Sequence, residues 1–333
     1  MSANLAVRQG APFARIMSVG SYRPERIVTN AEICERIDSS DEWIRERSGI
    51  IERRWARADE SVIDMAREAS LVAIKRSGVA AEQIDMVIMG TVTHPYQTPS
   101  AAAALCHEVG AVNAAAMDIS AACAGFAYGV GIASDLIRAG SARHVLVVGV
   151  EKLSEWLDRE DRGTAFLFAD GAGAVVIGPS DVNGIGPVIW GADGSQYEAI
   201  TMTRSLIDLK EGDVEFPAIT MQGQQVFRWA VSEIAKVCHR AIEAAGITPA
   251  DLDAFIPHQA NNRITDAMIR AIGLPEGIPV ARDIQYTGNT SAASIPLAMD
   301  RMLENGEIKS GDTALIVGFG AGLVFAGQVI TVP

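Results

Sequence analysis

Cysteine, histidine, aromatic side chains and positive charge are all scarce in this 333-residue chain. Four cysteines (Cys34, Cys106, Cys123, Cys238) are scattered without a CxxC pair. That excludes a disulfide framework and predicts a reduced, cytoplasmic protein. Five histidines leave little material for metal chemistry. Cys106-His107 and Cys238-His239 do not have zinc-module spacing, and adjacent residues on a helix point in different directions. No metal is expected. Lys and Arg number 28 against 41 Asp and Glu, a net charge of −13, which argues against nucleic acid as the main partner. No apolar run reaches the roughly 20 residues that span a bilayer. Residues 1–20 offer no continuous apolar core followed by a cleavage site, so neither membrane insertion nor export is expected. Low-complexity linkers are also missing.

What is present is a large apolar fraction, 49%, and a periodicity that switches repeatedly between helix and strand. Residues 60–77, 100–109 and 124–139 predict helices; residues 84–90, 114–117 and 145–149 predict strands, and residues 164–177 two short strands around a glycine turn. The second half repeats this plan, with a long helix over 222–245 carrying a stripe of Phe227, Val231, Ile234 and Val237. Further helices fall over 261–272 and 291–305, and strands over 254–257, 314–317 and 324–332. The run Ala69…Gly78…Ile84-Asp85-Met86-Val87-Ile88 parallels Ala241…Gly246…Leu252-Asp253-Ala254-Phe255-Ile256. This is the pattern of a duplicated βαβ-rich unit. The expected halves are 1–180 and 181–333, in an α/β fold.

Cys123 follows a strand and opens a helix, in Ser120-Ala121-Ala122-Cys123-Ala124-Gly125-Phe126. Unpaired N–H groups and the partial positive charge of a helix start favour thiolate, so a lowered pKa is expected. Small neighbours leave room for an acyl group. A buried cysteine also serves as a small core hydrophobe, and this segment alone leaves both readings open. His258 lies just past the strand 254–257, where α/β proteins bind ligands. Asn289 precedes another small-residue helix. A histidine alone is commonly structural and an asparagine after glycine commonly a cap. Together the three sit at equivalent junctions, the arrangement of a nucleophile with two polar groups converging on it. Gly318-x-Gly320-x-Gly322 leads into a strand, not a helix, which argues against a dinucleotide fingerprint. Gly171-Ala172-Gly173 lacks the Lys-Ser/Thr of a phosphate loop.

The segments around Cys123, His258-Gln259-Ala260-Asn261-Asn262-Arg263 and Gly288-Asn289-Thr290-Ser291-Ala292-Ala293-Ser294 resemble β-ketoacyl-acyl-carrier-protein synthase III, the initiating condensing enzyme of type II fatty acid synthesis. Asp41-Glu42-Trp43-Ile44, Asp161-Arg162-Gly163-Thr164 and Asp170-Gly171-Ala172-Gly173-Ala174 extend the resemblance over nearly the whole chain. It implies a thiolase-like fold of two duplicated halves in αβαβα layers, usually a homodimer. The implied reaction is a decarboxylative Claisen condensation of an acyl-CoA with malonyl-acyl carrier protein through an acyl-Cys123 intermediate, with no cofactor.

The resemblance further implies His258 and Asn289 as donors to the enolate oxygen, and an oxyanion hole at the backbone N–H groups of Cys123 and Ala321. It puts coenzyme A against Trp43, Arg47 and Arg162, the carrier protein against Arg263, Arg228 and Arg270, and the acyl chain near Phe168 and Phe319. Thr98 would reach the partner's acyl tunnel, where threonine leaves more room than phenylalanine. A degradative thiolase is disfavoured because the Gly318–Gly322 turn has no second cysteine. A hydroxymethylglutaryl-CoA synthase is disfavoured because Glu108 sits in the wrong motif. A starter-unit synthase or acyltransferase of a secondary pathway remains an alternative, and a silent scaffold is disfavoured by the intact triad.

Overall fold

The computed structural model describes residues 5–212 and 214–333. The chain forms β1 (Phe13–Tyr22), β2 (Arg26–Thr29), α1 (Asn30–Cys34), α2 (Asp41–Ser48), β3 (Glu52–Trp55), α3 (Val62–Ser77), β4 (Met86–Gly90), α4 (Ala101–Val109), β5 (Ala115–Ile119), α5 (Gly125–Arg138), β6 (Val145–Lys152) and β7 (Asp170–Ser180). It continues through β8 (Ile189–Ala192), β9 (Ile200–Met202), β10 (Ile219–Met221), α6 (Gly223–Trp229), α7 (Ala235–Ala244), β11 (Ala254–Pro257), α8 (Asn262–Ile272), α9 (Ile284–Thr287), α10 (Ser294–Glu304), β12 (Thr313–Gly320) and β13 (Val324–Thr331).

Local chemistry fixes the helix limits. Ser61 caps α3 in a capping box with Asp64, and Gly78 ends it in the left-handed conformation, where glycine has no steric cost. Ser100 caps α4 through its side chain alone, accepting from Ala103 N, so both helices begin one or two residues later than periodicity predicts. The expected helix over 222–245 is interrupted by a π turn at Ala230–Ile234. The wider turn rotates the buried face. The inward stripe becomes Val226, Trp229, Ala230, Ile234, Val237 and Cys238, leaving Phe227 and Val231 half-buried. The two strands expected within residues 164–177 are instead a turn over 162–167, a single-residue bridge from Phe168 to Asn289, and the one strand β7. Gly173 makes no turn there. A Cβ on it would lie 2.6 Å from the Pro296 ring, so its role is to let α10 lie against the sheet.

The five-stranded sheet has the order β1-β7-β6-β4-β5, and the four-stranded sheet β11-β12-β13-β8. In each, one parallel pair (β4 with β6, β11 with β12) adjoins an antiparallel one (β6 with β7, β12 with β13). Helices α5 and α10 lie between the sheets and bury Phe126, Val130, Ile137, Ile295 and Met299 in a core drawn from both halves. Helices α3 and α4 cover the outer face of the first sheet, and α7 and α8 that of the second. The layers are therefore αβαβα, a thiolase fold.

The duplication extends to single atoms. Asp85 precedes β4, its carboxylate accepting from Arg143 N and His144 N before β6. Asp253 precedes β11 and accepts from Thr313 N at β12 (2.8 Å). Ahead of α5 and α10, matching 3-10 turns open on Ala122 (φ 43°) and Ser291 (φ 49°). Left-handed conformations at non-glycine residues cost energy and cluster at functional sites.

Asp170, buried at the start of β7, ties this frame to the loop that walls the site. Its carboxylate accepts from Ala56 N (2.7 Å), Ser154 N (2.8 Å) and Ser154 Oγ (2.6 Å). Asp170→Ala would orphan three donors, at about 1–3 kcal/mol for a buried unsatisfied group. We expect a lower urea midpoint at unchanged slope, measured by equilibrium unfolding.

Candidate active site

Cys123 lies in the 3-10 turn that leads from β5 into α5, inside the middle layer. The turn at the end of β12 comes so close that a Cβ on Gly320 would sit 2.9 Å from the Cys123 sulfur. Only glycine allows that approach. His258 follows β11, its backbone N–H held by Val317 O of β12 (2.7 Å). Asn289 precedes α10 and is clamped through its backbone, with its N–H donating to Leu167 O (3.0 Å) and its carbonyl accepting from Ala169 N (2.9 Å). Arg53 and Trp55 of β3 hold the same wall by donating to Phe166 O and Phe168 O.

These residues line one cavity of about 690 Å³. Cys123, His258, Asn289, Phe319, Gly320 and Ala321 share it with Trp43, Arg47, Arg162, Phe168, Arg228 and Arg263. Cys123, His258 and Asn289, remote from one another in sequence, thus share one cavity. Two candidates do not line it. Thr98 is exposed, consistent with no role toward its own chain's cavity. Arg270 lies in the last turn of α8, at the end away from Asn261 and Arg263. Of the three arginines expected to meet the carrier protein, Arg228 and Arg263 line the cavity and Arg270 does not.

The hydrogen bonds fix the orientation of both polar groups. The Ser294 hydroxyl accepts from Gln259 N (3.2 Å) and lies 2.7 Å from His258 Nδ1. Assigning the Ser294 proton to Nδ1 puts the imidazole proton on Nε2. Burial pushes the imidazole pKa down to about 3, so His258 is a neutral donor near neutrality. The Asn289 Oδ1 accepts from Ser291 N (2.9 Å), which leaves the amide NH₂ free to donate. Phe319 packs edge-on against the imidazole, with centroids 5.3 Å apart.

The expected low thiol pKa is not found. Burial pushes Cys123 up to about 12, the Glu151 charge adds to the rise, and a hydrogen bond from Ser291 opposes it. Among the described residues no cation offsets this desolvation, so the field of the helix start works alone against burial. The resting group is a thiol.

At the mouth, the Arg162 guanidinium lies 4.9 Å and that of Arg47 5.8 Å from the Trp43 ring centroid. This is an aromatic and cationic surface suited to a base and its phosphates. Asn261 joins the two sides: its Oδ1 accepts from Arg263 N at the start of α8, and its Nδ2 donates to Arg47 O at the end of α2. Arg263 rests over Phe227. Among the described residues, no group of three or more His, Cys, Asp or Glu is placed to hold a metal ion.

Sequence reasoning missed Ser291 and Glu151. Ser291 stands within the Asn289 motif, and its signal was a hydroxyl two residues after a polar candidate. Glu151 stands beside Lys152 at the end of the apolar strand β6, and both are buried; a charged pair closing an otherwise apolar run was its signal.

A cavity with a thiol at a helix start, a neutral imidazole and a free amide, framed by a thiolase fold, defines the class: an acyl-transferring condensing enzyme. Family models for 3-oxoacyl-[acyl-carrier-protein] synthase III match residues 117–194, and for its C-terminal part residues 242–332. A β-ketoacyl-[acyl-carrier-protein] synthase III of Streptomyces glaucescens is 59% identical over 98% of both chains. The priming β-ketosynthase of the R1128 polyketide pathway superposes with a TM-score of 0.97 at 47% identity, covering 99% of each chain. The 3-oxoacyl-[acyl-carrier-protein] synthase III of Aquifex aeolicus gives 0.89 at 38% identity, covering 96% of this chain and 99% of that one. The chain belongs to the β-ketoacyl-acyl-carrier-protein synthase III family.

Proposed function

We propose that this protein condenses an acyl-CoA primer with malonyl-acyl carrier protein, releasing coenzyme A and carbon dioxide, and so initiates fatty acid synthesis. The observation that carries the reading is the convergence of Cys123, His258 and Asn289 in one cavity. Cys123 attacks the thioester and holds the acyl group. The tetrahedral oxygen is received by the backbone N–H groups of Cys123 and Ala321. Malonyl-carrier protein then loses carbon dioxide, and the enolate oxygen is stabilised by His258 Nε2–H and the Asn289 amide. A donor that is fixed and neutral suits a developing anion, because it needs no proton transfer and little reorganisation. The enolate carbon attacks the acyl-cysteine and gives the 3-oxoacyl product.

In this reading the adenine of coenzyme A meets Trp43 and Arg162, and its phosphates Arg47. The acyl chain lies along Phe168 and Phe319. The carrier protein docks at Arg263 and Arg228, a local positive patch on an acidic protein. The two halves divide after Ser180, where β7 ends. A homodimer forms along β5, an edge strand whose Met117 and Ile119 are only half covered within one chain and which a second copy would protect; Thr98 then serves the partner's tunnel. The protein works in the cytoplasm, where acyl-CoA and carrier protein meet, without a cofactor.

His258→Ala and Asn289→Ala should each retain acylation by acyl-CoA but lose malonyl decarboxylation by about two to three orders of magnitude, measured by carbon dioxide release. Failure chiefly in acylation would reverse the assignment. Arg263→Glu should raise the KM for malonyl-carrier protein and leave acylation nearly unchanged, with each substrate varied in turn. Equal losses for both would make Arg263 a support of the site itself.

A further inference from the structure

Arg53, in the short strand β3, is a cation with 0% exposure. Among the described residues its hydrogen bonds all go to uncharged oxygens. Nη1 donates to Val28 O (3.1 Å), and Nη2 to Asn30 Oδ1 (2.5 Å) and Phe166 O (3.0 Å). Its Nε is buried without a partner. Burying a charge in this way is costly. What a guanidinium adds over an apolar side chain is a planar fork that holds several acceptors at fixed angles. The three acceptors here belong to three segments: β2, the start of α1, and the loop that walls the cavity.

On one side the fork leads to the aromatic and cationic face at the mouth. Asn30 Nδ2 donates to Asp41 Oδ1 (2.7 Å), at the first residue of α2, and to Ile50 O (2.9 Å), just past its end. The helix held between those two bonds carries Trp43 and Arg47. Phe166 reaches the same helix by another route: its carbonyl is held by Arg53, and its ring packs edge-on against Trp43 with centroids 5.4 Å apart. On the other side the stem of Arg53 packs against the backbone that precedes Asn289. Gly288 has φ 76°, and a Cβ there would lie 2.7 Å from Arg53 Cβ and 2.8 Å from Ala169 Cβ. Ile51 N, two residues before Arg53, donates to Gln285 O (2.8 Å) of α9, the helix that leads into Gly288.

We propose that Arg53 is a positioning residue that sets two substrate faces from one frame: the Trp43 and Arg47 face through Asn30 and Phe166, and the Asn289 amide through Phe166 and Gly288. The proposal rests on the role given above to Asn289 in decarboxylation. Arg53 is fully buried and acts only through the groups it places. An amide that stabilises a developing oxyanion has to stand where the charge appears. Its backbone is clamped by Leu167 and Ala169, and the segment holding both is fixed at Phe166 by the fork. Loss of the fork therefore moves the amide without removing it, and loosens α2 at the same time.

The test is a double-mutant cycle on carbon dioxide release from malonyl-carrier protein, with the wild type, Arg53→Lys, Asn289→Ala and the double variant. Lysine keeps the charge but not the fork. Arg53→Lys should lower release by about a hundredfold, the size expected when a reacting geometry is misplaced by roughly an ångström. In the Asn289→Ala background the same change should cost no more than about threefold, because no amide is left to misplace. Equal losses in the two backgrounds would make Arg53 a general support of the fold and overturn the proposal, as would no loss in either. Asn30→Asp keeps an oxygen for Arg53 but gives up both protons donated to Asp41 and Ile50. It should raise the KM for acetyl-CoA about tenfold, the size of one lost hydrogen bond, and by more than it lowers carbon dioxide release. That variant decides the matter if Arg53→Lys does not fold: an unchanged KM overturns the common frame. A wild type that releases no carbon dioxide would instead overturn the proposed function.

Discussion

Two helix starts are pressed together at the centre of the molecule, and most of the remaining structure serves that contact. The 3-10 turn before α5 carries Cys123, and the matching turn before α10 carries Ser291. They can meet only because the surfaces around them are stripped of side chains. A Cβ on Gly149 would fall 2.2 Å from Ala292 O, and one on Gly90 2.9 Å from the Gly125 carbonyl carbon. The duplicated fold supplies these turns twice, and the site uses the two copies differently: one presents sulfur, the other a hydroxyl and, two residues earlier, an amide.

Burial at this junction decides the electrostatics. The same desolvation that keeps His258 neutral also keeps Cys123 a thiol and raises Glu151. A neutral imidazole with its proton on Nε2 is a donor that does not vary with pH near neutrality, which suits an oxygen that becomes charged only during decarboxylation. The thiol, by contrast, needs its proton removed, and the field of a helix end does not supply enough stabilisation inside a dry cavity.

Much of this was legible in the sequence. The strand-to-helix position of Cys123, the strand-end position of His258 and the loop position of Asn289 each follow from periodicity and caps, and the paired Asp85 and Asp253 motifs disclosed the duplication. Features that depend on packing across the layers were not legible. Gly171 and Gly173 read as a turn because a sequence does not tell a flexible glycine from one that makes room for Pro296 and Leu297. The π turn at Ala230–Ile234 leaves no periodic mark. Arg270 looked equivalent to Arg263 because both lie on α8, and only the placement of Asn261 fixes which end faces the cavity. The thiol pKa was misjudged because local context gives the helix end but not the burial that opposes it.

The central claim is that acyl transfer runs through Cys123. The most direct measurement is the intact mass of the protein after brief exposure to acetyl-CoA, followed by peptide mapping. One acyl group per chain, on the peptide holding Cys123 and discharged on adding malonyl-carrier protein, is the predicted result. An unmodified Cys123, or an acyl group that persists there while 3-oxoacyl product accumulates, would contradict it.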